Sequence, residues 1–548
     1  MRAIVATGES ARRRYRRHRG RERGLGGDMQ ALDRIFGQAL VRLVFALCAM
    51  VIAHSAWAAS GTVLQGSTLY PRVVRLAHGP AGVNGRLIAS TNGIIFQSVD
   101  DGASWSALGP VPTIGGSSER CCATLYELPR AVGNLAAGTL LSAASYFSGG
   151  MPAIEVYTST DQGAHWSYHS TPVRAGDASH GLWEPEFEVA NDGALAMFWS
   201  DETDPCCSQK LAQIRSYDGV SWQNPTDTVR SAIPGDRPGM ITVSQLPNGH
   251  FFMSYELCGP AACTVFSRVS VDGWYFGDPT NMGTKVQTAT GQYLEHAPLN
   301  HWTPSVLSVA NGAILLVSQV MYESNGSVSP SNGKVLFVNT QADGVGHWFT
   351  IDAPVQVPGA YDNYCPNYSS ALLPEADGSG ILELASDYLN GGCITYFGHM
   401  PWNRLPTDGS TYAVQSVFAR GLCLDNTGWS TANNTSAELW TCNGLSVQRW
   451  TFRAQGNGFF SLRNEATGLC LDNTGGSTTP GNLVTLWGCV GNANQSWQVV
   501  DVGHGSYKLL TQASGELALD DPAGSTTAGT QLQIYTDNGL GTQQWVLQ

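Results

Sequence analysis

Apolar residues along most of this chain stand in short runs that end at glycine, as in residues 181–190 and 250–259. Runs of this kind, in a chain with 63 glycines and 52 aromatic residues, are typical of short strands joined by tight turns. Charged residues make up only 13%, which argues against helical bundles and coiled coils. We therefore predict an all-β protein. Because 548 residues exceed one compact domain, we also predict two or more domains.

The beginning of the chain follows a different pattern. Basic residues ending at Arg42 precede an eleven-residue apolar run, residues 43–53, and then the small-residue site Ala56-Trp57-Ala58. This order is typical of a secretory signal peptide, and the run is too short to span a bilayer. We assign residues 1–59 to an upstream basic tract and a signal peptide, and we expect a secreted protein, extracellular or periplasmic. A nucleic-acid-binding arm is the alternative for the Arg-rich tract.

The charge of the remaining chain restricts its partners. Residues 1–58 hold eleven of the 30 basic residues and four of the 43 acidic ones, so the rest carries a net charge near −20. Nucleic acid and an anionic membrane surface would both be repelled. We therefore expect a neutral polysaccharide or oligosaccharide as partner, no nucleic acid, no membrane, and a monomer.

The cysteines indicate disulfide bonds. Twelve of the thirteen follow the signal, an even number in an exported chain. The adjacent pairs Cys121-Cys122 and Cys206-Cys207 have no CxxC motif with matching histidine spacing beside them, so metal ligation is the weaker interpretation. We expect no metal ion and no other cofactor.

A repeated motif divides the middle of the chain. The Asp-box sequence Ser-x-Asp-x-Gly-x-x-Trp is intact at residues 98–105 and 159–166, and shorter versions begin at Ser216, Ser270 and Asp343. Its first four aspartates are 61, 57 and 54 residues apart. Residues 60–403 therefore hold six units of this length, which predicts a six-bladed β-propeller.

The role of the motif is structural. Aspartate caps backbone N–H groups in a hairpin turn, glycine supplies a positive φ, and tryptophan packs between neighbouring sheets. We therefore exclude Asp100, Asp161 and Asp218 from the catalytic candidates.

A second repeat occupies residues 412–548, after a linker at 404–411. Gln-x-Trp occurs three times, 47 and 48 residues apart, and each copy follows a Leu-Asp pair. An aromatic residue and an asparagine lie between them in every repeat. The polar and aromatic residues of the three repeats are Asp425, Trp440 and Asn443, then Asp472, Trp487 and Asn492, then Asp520, Tyr535 and Asn538.

This second repeat resembles the ricin-B-type β-trefoil lectin domain. In such a site Asp and Asn bond sugar hydroxyls while the aromatic ring stacks on the apolar face of the sugar. The resemblance implies three carbohydrate sites at the residues above, with the Gln and Trp of each Gln-x-Trp mostly in the core and the Gln bracing the Asp. It also implies disulfides Cys423–Cys442 and Cys470–Cys489, whereas the third repeat has Ala518 and Asp537 at those positions.

Two glutamates stand out in the predicted propeller. Glu184 lies in the apolar segment GLWEPEFEVA, and Glu256 follows a nearly continuous apolar run in HFFMSYELCG. A buried carboxylate is costly unless it is paired or has a chemical function. Pairing with Arg237 across the channel is the structural alternative.

Six segments resemble the exo-arabinanase family of six-bladed propeller glycoside hydrolases. Members release chiefly arabinobiose from the end of α-1,5-linked arabinan with retention of configuration. The resemblance implies that Glu184 is the acid/base and Glu256 the nucleophile, a residue pair suited to a retaining mechanism. The segments are YPRVVRL, LYELPRAVGNLAAGTLL, GLWEPEF, FWSDETDPCCSQKL, GDRPGM and SYELCG.

Other polar residues join the candidate site. Tyr368 is a candidate third catalytic member that bonds the nucleophile, or a strand tyrosine packed between blades. Candidate substrate contacts are Arg72, Asp201 and Arg237, with a structural ion pair favoured for Arg72. Glu186 shares the strand face of Glu184, and either tunes the acid or is the true acid itself.

Two other functions compete with this interpretation. Sialidases share Asp boxes, a six-bladed propeller and a late nucleophilic tyrosine, a role that Tyr368 would take. They hold the substrate carboxylate with three arginines, however, and residues 269–403 contain none. A carbohydrate-binding protein without turnover is the alternative from a different class, and the two glutamates argue against it.

Overall fold

A computed structural model describes residues 59–548 apart from 80–81, 260–261, 289, 306–310, 347, 376–378, 403–404, 504–505 and 516. The predicted tract and signal peptide at 1–58 lie outside these residues. The described chain is almost entirely β-sheet, and its helical segments are single 3₁₀ turns. No helix within it is long and apolar enough to cross a membrane.

The first strand and the first three blades follow in chain order, and each blade is an antiparallel sheet of four consecutive strands. The strands are β1 (Thr62–Val63); in blade 1, β2 (Pro71–Arg75), β3 (Leu87–Thr91), β4 (Ile94–Ser98) and β5 (Ser106–Pro110); in blade 2, β6 (Ser117–Glu127), β7 (Leu140–Ser148), β8 (Met151–Ser159) and β9 (Ser167–Arg174); and in blade 3, β10 (Leu182–Val189), β11 (Leu195–Asp201), β12 (Lys210–Ser216) and β13 (Trp222–Val229).

The remaining three blades complete the predicted six. Blade 4 is enlarged to six strands, and blade 6 takes β1 as its outer strand, so the two ends of the ring meet in one sheet. Blade 4 contains β14 (Arg237–Gln245), β15 (Phe251–Cys258), β16 (Thr264–Ser270), β17 (Thr284–Lys285), β18 (Tyr293–Glu295) and β21 (Val320–Tyr322); blade 5 contains β19 (Leu299–Thr303), β20 (Ala313–Val317), β22 (Val335–Asn339) and β23 (Phe349–Asp352); and blade 6 contains β24 (Ala371–Pro374), β25 (Gly380–Leu389) and β26 (Gly392–Pro401).

The repeated Ser-x-Asp motif forms the turn between the third and fourth strands of a blade. In blade 1 the Ser98 hydroxyl accepts the Gly102 N–H at 2.8 Å, and Asp100 Oδ1 accepts the Ser104 N–H at 2.9 Å. Trp105 packs edge-on against Phe397 of blade 6, with ring centroids 6.3 Å apart. These aspartates therefore serve the turns, away from the innermost strands.

The C-terminal segment folds into a second β-structure of thirteen strands. They are β27 (Thr411–Ser416), β28 (Leu422–Asn426), β29 (Thr435–Thr441), β30 (Arg449–Gly456), β31 (Phe459–Asn464), β32 (Leu469–Asn473), β33 (Asn482–Gly488), β34 (Trp497–Gly503), β35 (Ser506–Thr511), β36 (Leu517–Asp520), β37 (Thr530–Gln531), β38 (Gln533–Thr536) and β39 (Trp545–Leu547). The 3₁₀ turns are Ala342–Gly344 in the propeller and Thr427–Trp429, Ser446–Gln448, Thr474–Gly476, Ala493–Gln495, Pro522–Gly524 and Gly541–Gln543 here.

Three tryptophans form the centre of this second domain. Trp450, Trp497 and Trp545 are fully buried, and their indole N–H groups donate to the carbonyls of Leu424, Leu471 and Leu519 at 3.0, 3.1 and 3.3 Å. The same bond recurs in each repeat, so the Gln-x-Trp tryptophans are core residues, as predicted.

The third repeat packs against the propeller. Lys508, only 1% exposed, lies 3.0 Å from Asp537 and donates to the Thr350 carbonyl of β23 at 3.1 Å. Val500 and Val502 of β34 belong to one buried apolar cluster with propeller residues such as Ile351. Asp537 stands where the first two repeats have a disulfide cysteine, so an ion pair at the domain contact takes the place of the disulfide.

We expect Asp537→Ala to destabilise the protein by about 3–5 kcal/mol, because it leaves the Lys508 ammonium buried and unpaired. Chemical denaturation followed by tryptophan fluorescence would measure the loss. The double variant Lys508→Met/Asp537→Ala removes both charges and should recover most of the stability. Equal losses in the single and double variants would contradict this role of the ion pair.

Candidate functional site

Each blade has a left-handed residue where its innermost strand enters the channel. In blades 2, 3 and 4 the strand pairing also skips residues there, between Cys121 and Thr124, Trp183 and Glu186, and Gly239 and Thr242. Such bulges redirect a side chain and expose backbone N–H groups. The six residues, with φ from 47° to 71°, are Tyr70, Cys122, Glu184, Met240, Ala297 and Ser369.

Glu184 is the carboxylate among these six left-handed residues. It lies in β10, is partly buried, and has a φ of 56°. Its Oε2 accepts the Ser200 hydroxyl at 2.6 Å and the Met240 N–H at 3.2 Å. Burial raises the pKa of Glu184, while these two donors act against the rise.

Glu256 lies near the end of β15, in the next blade. Its Oε2 accepts the Ala297 N–H at 2.6 Å, so a left-handed residue again supplies the donor. Burial raises the pKa of Glu256 to about 8, and the charge of Glu184 adds to the rise. The two carboxyls therefore influence each other's protonation.

Gly239 lies next to both glutamates. It pairs with Glu256 across β14 and β15, and a Cβ at its position would lie 3.6 Å from Glu184 Oε2, an ordinary contact distance. The same Cβ would lie 2.6 Å from Gln209 Nε2, so a larger residue here would displace the end of the Gln209 side chain.

Tyr368 lies beside both glutamates but bonds neither in the structure. Its hydroxyl is 3.7 Å from Met240 Sδ, and its ring is 6.2 Å from that of Tyr70. Burial and the charges of Glu184 and Glu256 raise the pKa of Tyr368 well above its usual value. The predicted bond from Tyr368 to the nucleophile is therefore absent here, and the phenol stays protonated.

Arg72 and Glu186 form a buried ion pair. Arg72 Nε donates to Glu186 Oε1 at 2.9 Å, and Thr124 donates to the other oxygen at 2.7 Å. Arg72 also bonds Ser369 at 3.0 Å, so it joins blades 1, 3 and 6. This is the structural ion pair favoured from the sequence, and together with Thr124 it engages both oxygens of Glu186.

The other two predicted substrate contacts, Asp201 and Arg237, both bond other residues of the protein. Asp201 accepts the N–H and hydroxyl of Thr203 at 2.8 and 2.6 Å, which caps the turn after β11. Arg237 pairs with Glu202 and bonds Gln209 at 2.6 Å, so it does not pair with either candidate glutamate. Its charge nevertheless lowers the pKa of both Glu184 and Glu256.

A cavity of about 590 Å³ continues along the channel. It is lined by the six innermost strands, including Arg72, Glu186, Asn300 and His301, but not by Glu184 or Glu256. Burial lowers the pKa of His301 to about 4, so this ring is neutral. Glu184 lies near the beginning of β10, one of the strands that line this cavity, and Glu256 lies near the end of β15, which pairs with the lining strand β14.

The described residues contain one cluster of side chains compact enough for a metal ion. The ligand atoms of Cys258, Cys263 and His296 lie within 4.8 Å of one another. The two sulfurs form a disulfide, however, so neither offers a thiolate. This cluster therefore provides no set of metal ligands.

Solved structures with known activities are similar to the propeller. The arabinofuranosidase of Fusarium graminearum, solved with arabinobiose, is 24% identical with a TM-score of 0.52, covering 62% of this chain and 94% of that one. An α-L-arabinanase of Penicillium chrysogenum, also solved with arabinobiose, is 26% identical with a TM-score of 0.51, covering 63% and 98%. No curated protein matches this sequence.

The C-terminal region matches a family model. Residues 410–545 match the ricin-type β-trefoil lectin domain. This region is a carbohydrate-binding β-trefoil. The propeller is structurally similar to arabinose-active glycoside hydrolases, and the chain thus joins a hydrolase-like propeller to a lectin domain.

The trefoil brings the predicted aspartate and aromatic residue of each repeat onto adjacent strands. Trp440, Trp487 and Tyr535 are 46%, 40% and 44% exposed, as an aromatic ring that stacks on a sugar requires. Gln448 and Gln495 donate to Asp425 and Asp472 at 2.7 and 3.0 Å, as predicted. In the third repeat Gln533 donates to Asp520 at 2.7 Å. The two implied disulfides, Cys423–Cys442 and Cys470–Cys489, are present.

The second repeat lacks the predicted asparagine. In the first and third repeats, the N–H groups of Asn443 and Asn538 donate to the Gln-x-Trp glutamine at 2.8 and 2.9 Å. In the second repeat Val490 makes this bond, at 2.8 Å. Asn492 instead lies two residues further along, so its alignment with Asn443 is wrong.

We expect Asn443→Val to weaken sugar binding by the first repeat about tenfold, because it removes one polar partner of a sugar hydroxyl. The reciprocal variant Val490→Asn should strengthen the second repeat. Affinity electrophoresis of the full-length protein and its two variants in gels containing arabinan would measure both changes in sugar binding. Unchanged mobility of both variants would show that this position does not contact sugar.

Proposed function

We propose that this protein is a secreted, retaining glycoside hydrolase that acts from the chain end of α-1,5-arabinan and releases arabinobiose. The observation that supports this proposal most strongly is the pair of carboxyls, Glu184 and Glu256, on adjacent blades at one end of the channel. The similarity to two arabinose-active structures supports the substrate class. The trefoil would hold the polysaccharide.

The pair suits double displacement. One carboxyl protonates the leaving oxygen while the other, ionised, attacks the anomeric carbon and forms a glycosyl-enzyme intermediate. The first group then removes a proton from water, which attacks the same carbon and releases the sugar with retained configuration. Because Glu184 and Glu256 repel each other as anions, one of them stays protonated near neutral pH.

We propose Glu184 as acid/base and Glu256 as nucleophile, the roles that the family resemblance implies. In the free site the proton favours Glu256, since Glu184 has two hydrogen-bond donors and Glu256 has one. The roles therefore require the proton to move to Glu184 when substrate binds. Positive charge that develops on the sugar ring in the transition state stabilises Glu256 as the anion, so reaction proceeds from the complex in which Glu184 carries the proton.

The arginines argue against sialidase activity. Arg72 is occupied by Glu186, and Arg237 by Glu202, so neither guanidinium is free to hold a substrate carboxylate. The raised pKa of Tyr368 is also opposite to the shift that a tyrosine nucleophile needs. Hydrolysis of an uncharged pentose by two glutamates requires neither a free arginine nor a tyrosine nucleophile.

The cysteines support export. All twelve described cysteines are paired, as Cys121–Cys122, Cys206–Cys207, Cys258–Cys263, Cys365–Cys393, Cys423–Cys442 and Cys470–Cys489. Disulfides of this number persist in oxidising compartments.

We expect the protein to release mainly disaccharide from linear and debranched arabinan, and nothing from sialyl-lactose. Glu256→Gln should lower kcat more than about 10³-fold because it removes the nucleophile. Anion-exchange chromatography of the products would measure both effects, with thermal unfolding of the variant as the control for folding. Cleavage of the sialoside alone would favour a sialidase, and binding without products a lectin.

A chemical-rescue experiment with azide can assign the roles of Glu184 and Glu256. With an activated aryl arabinofuranoside and azide, Glu184→Ala should give an arabinosyl azide of retained configuration. Glu256→Ala should give the inverted azide, because azide then replaces the missing nucleophile. NMR of the anomeric proton distinguishes the two products, and exchanged results would exchange the roles.

The raised pKa values predict a bell-shaped dependence of kcat/KM on pH. Activity falls on the acid side when the ionised carboxyl of the pair gains a proton. Its pKa lies above 4.5, the usual value for a glutamate, so this fall occurs above pH 4.5. It falls on the alkaline side near pH 8, when the second proton leaves the pair. Initial rates from pH 4 to 10 would measure this profile, and activity still rising at pH 9.5 would contradict it.

A further inference from the structure

The Cys121–Cys122 disulfide lies at the candidate active site. Cys122 is the left-handed residue of blade 2, with a φ of 71°, and it holds the place in its blade that Glu184 holds in blade 3. Its N–H donates to Asn92 at 3.0 Å, which fixes the bulge. The mechanism described above assigns no role to this disulfide.

The disulfide is part of a largely buried apolar cluster that we call the shelf. Its buried members include Met240 and Ala297, whose N–H groups donate to Glu184 and Glu256. The shelf consists of Leu69, Tyr70, Cys121, Cys122, Met240, Ala297 and Tyr368. Since its own backbone holds both carboxyls, the shelf borders the space where the anomeric carbon must lie.

A second contact links the disulfide to Glu184. The Arg120 guanidinium lies 4.1 Å from the centre of the Trp183 ring. Arg120 immediately precedes Cys121, and Trp183 immediately precedes Glu184. This stacking holds the beginning of the blade 2 bulge against the beginning of the blade 3 bulge.

The chemistry of the disulfide suits contact with sugar C–H groups. Cys122 is 6% exposed, and Cys121, Leu69 and Tyr368 are partly exposed at the edge of the shelf. Sulfur is polarisable and a disulfide donates no hydrogen bond, so this surface packs against apolar groups and excludes water. An arabinofuranose ring carries its 2- and 3-hydroxyls on opposite faces, so each face also presents ring C–H groups.

We propose that the Cys121–Cys122 disulfide is a substrate contact, against which ring C–H groups on one face of the furanose pack beside Glu184 and Glu256. This inference rests on the proposed function and adds a residue pair that determines how the sugar is positioned. The left-handed backbone at Cys122 presents the disulfide to the sugar, as that at Glu184 presents the acid.

The test replaces the sulfurs but keeps the backbone. Glycine adopts the left-handed conformation of Cys122 without strain, so Cys121→Ala/Cys122→Gly removes the disulfide and preserves the bulge. We expect KM for arabino-oligosaccharides to rise at least tenfold, kcat to change less than threefold, and the pH profile to stay unchanged. The matched control Cys206→Ala/Cys207→Ala removes the other adjacent disulfide, in the loop after β11, and should leave KM unchanged.

A second measurement detects the contact without turnover. In Glu256→Gln, saturating arabino-oligosaccharide should slow reduction of Cys121–Cys122 by a phosphine at least fivefold, read by alkylation and mass spectrometry, and leave Cys206–Cys207 unaffected. If the wild-type protein cleaves arabinan but the variant keeps its KM and the sugar gives no protection, this inference is wrong and the proposed function stands. If the wild-type protein cleaves no arabinan, both fail together.

Discussion

Two carboxyl groups that are buried close together cannot both be ionised at low cost, and the site is organised around this constraint. Glu184 and Glu256 come from adjacent blades, and each accepts a backbone N–H from a left-handed residue of the next inner strand. The nearby cations Arg72 and Arg237 are each paired with another glutamate. Burial raises the pKa of both carboxyls more than the charge of Arg237 lowers it, so the pair keeps a proton, which is the state that acid-assisted bond cleavage requires.

The propeller provides this arrangement through its backbone. A straight inner strand would point alternate side chains into the channel and keep its N–H groups in the sheet. In blades 3 and 4 the bulge breaks the pairing, so one side chain and one N–H face the channel entrance instead. Glu184 is itself a left-handed residue, and Glu256 accepts the N–H of another, Ala297. The candidate carboxyls are thus held by these backbone distortions.

Much of this could be predicted from the sequence, because repeated motifs report repeated structure. The Asp-box spacing predicted six blades, the apolar runs singled out Glu184 and Glu256, and the family resemblance predicted that they act as a pair. The bulges could not be predicted, since no sequence motif marks the point where two consecutive strands lose their pairing. Asn492 was misaligned, although the spacing of five residues to the Gln-x-Trp glutamine in the first and third repeats points to Val490, and the bond to Gln495 shows that Val490 holds the position.

The third trefoil repeat connects the trefoil to the propeller. A disulfide at Asp537 would have needed a cysteine in place of Ala518, and the ion pair with Lys508 instead reaches the propeller through Thr350. The aromatic residue of the same repeat, Tyr535, is 44% exposed, so the contact with the propeller does not cover this ring. Because removal of one partner would leave the other charge buried and unpaired, the pair also makes separation of the third repeat from β23 costly.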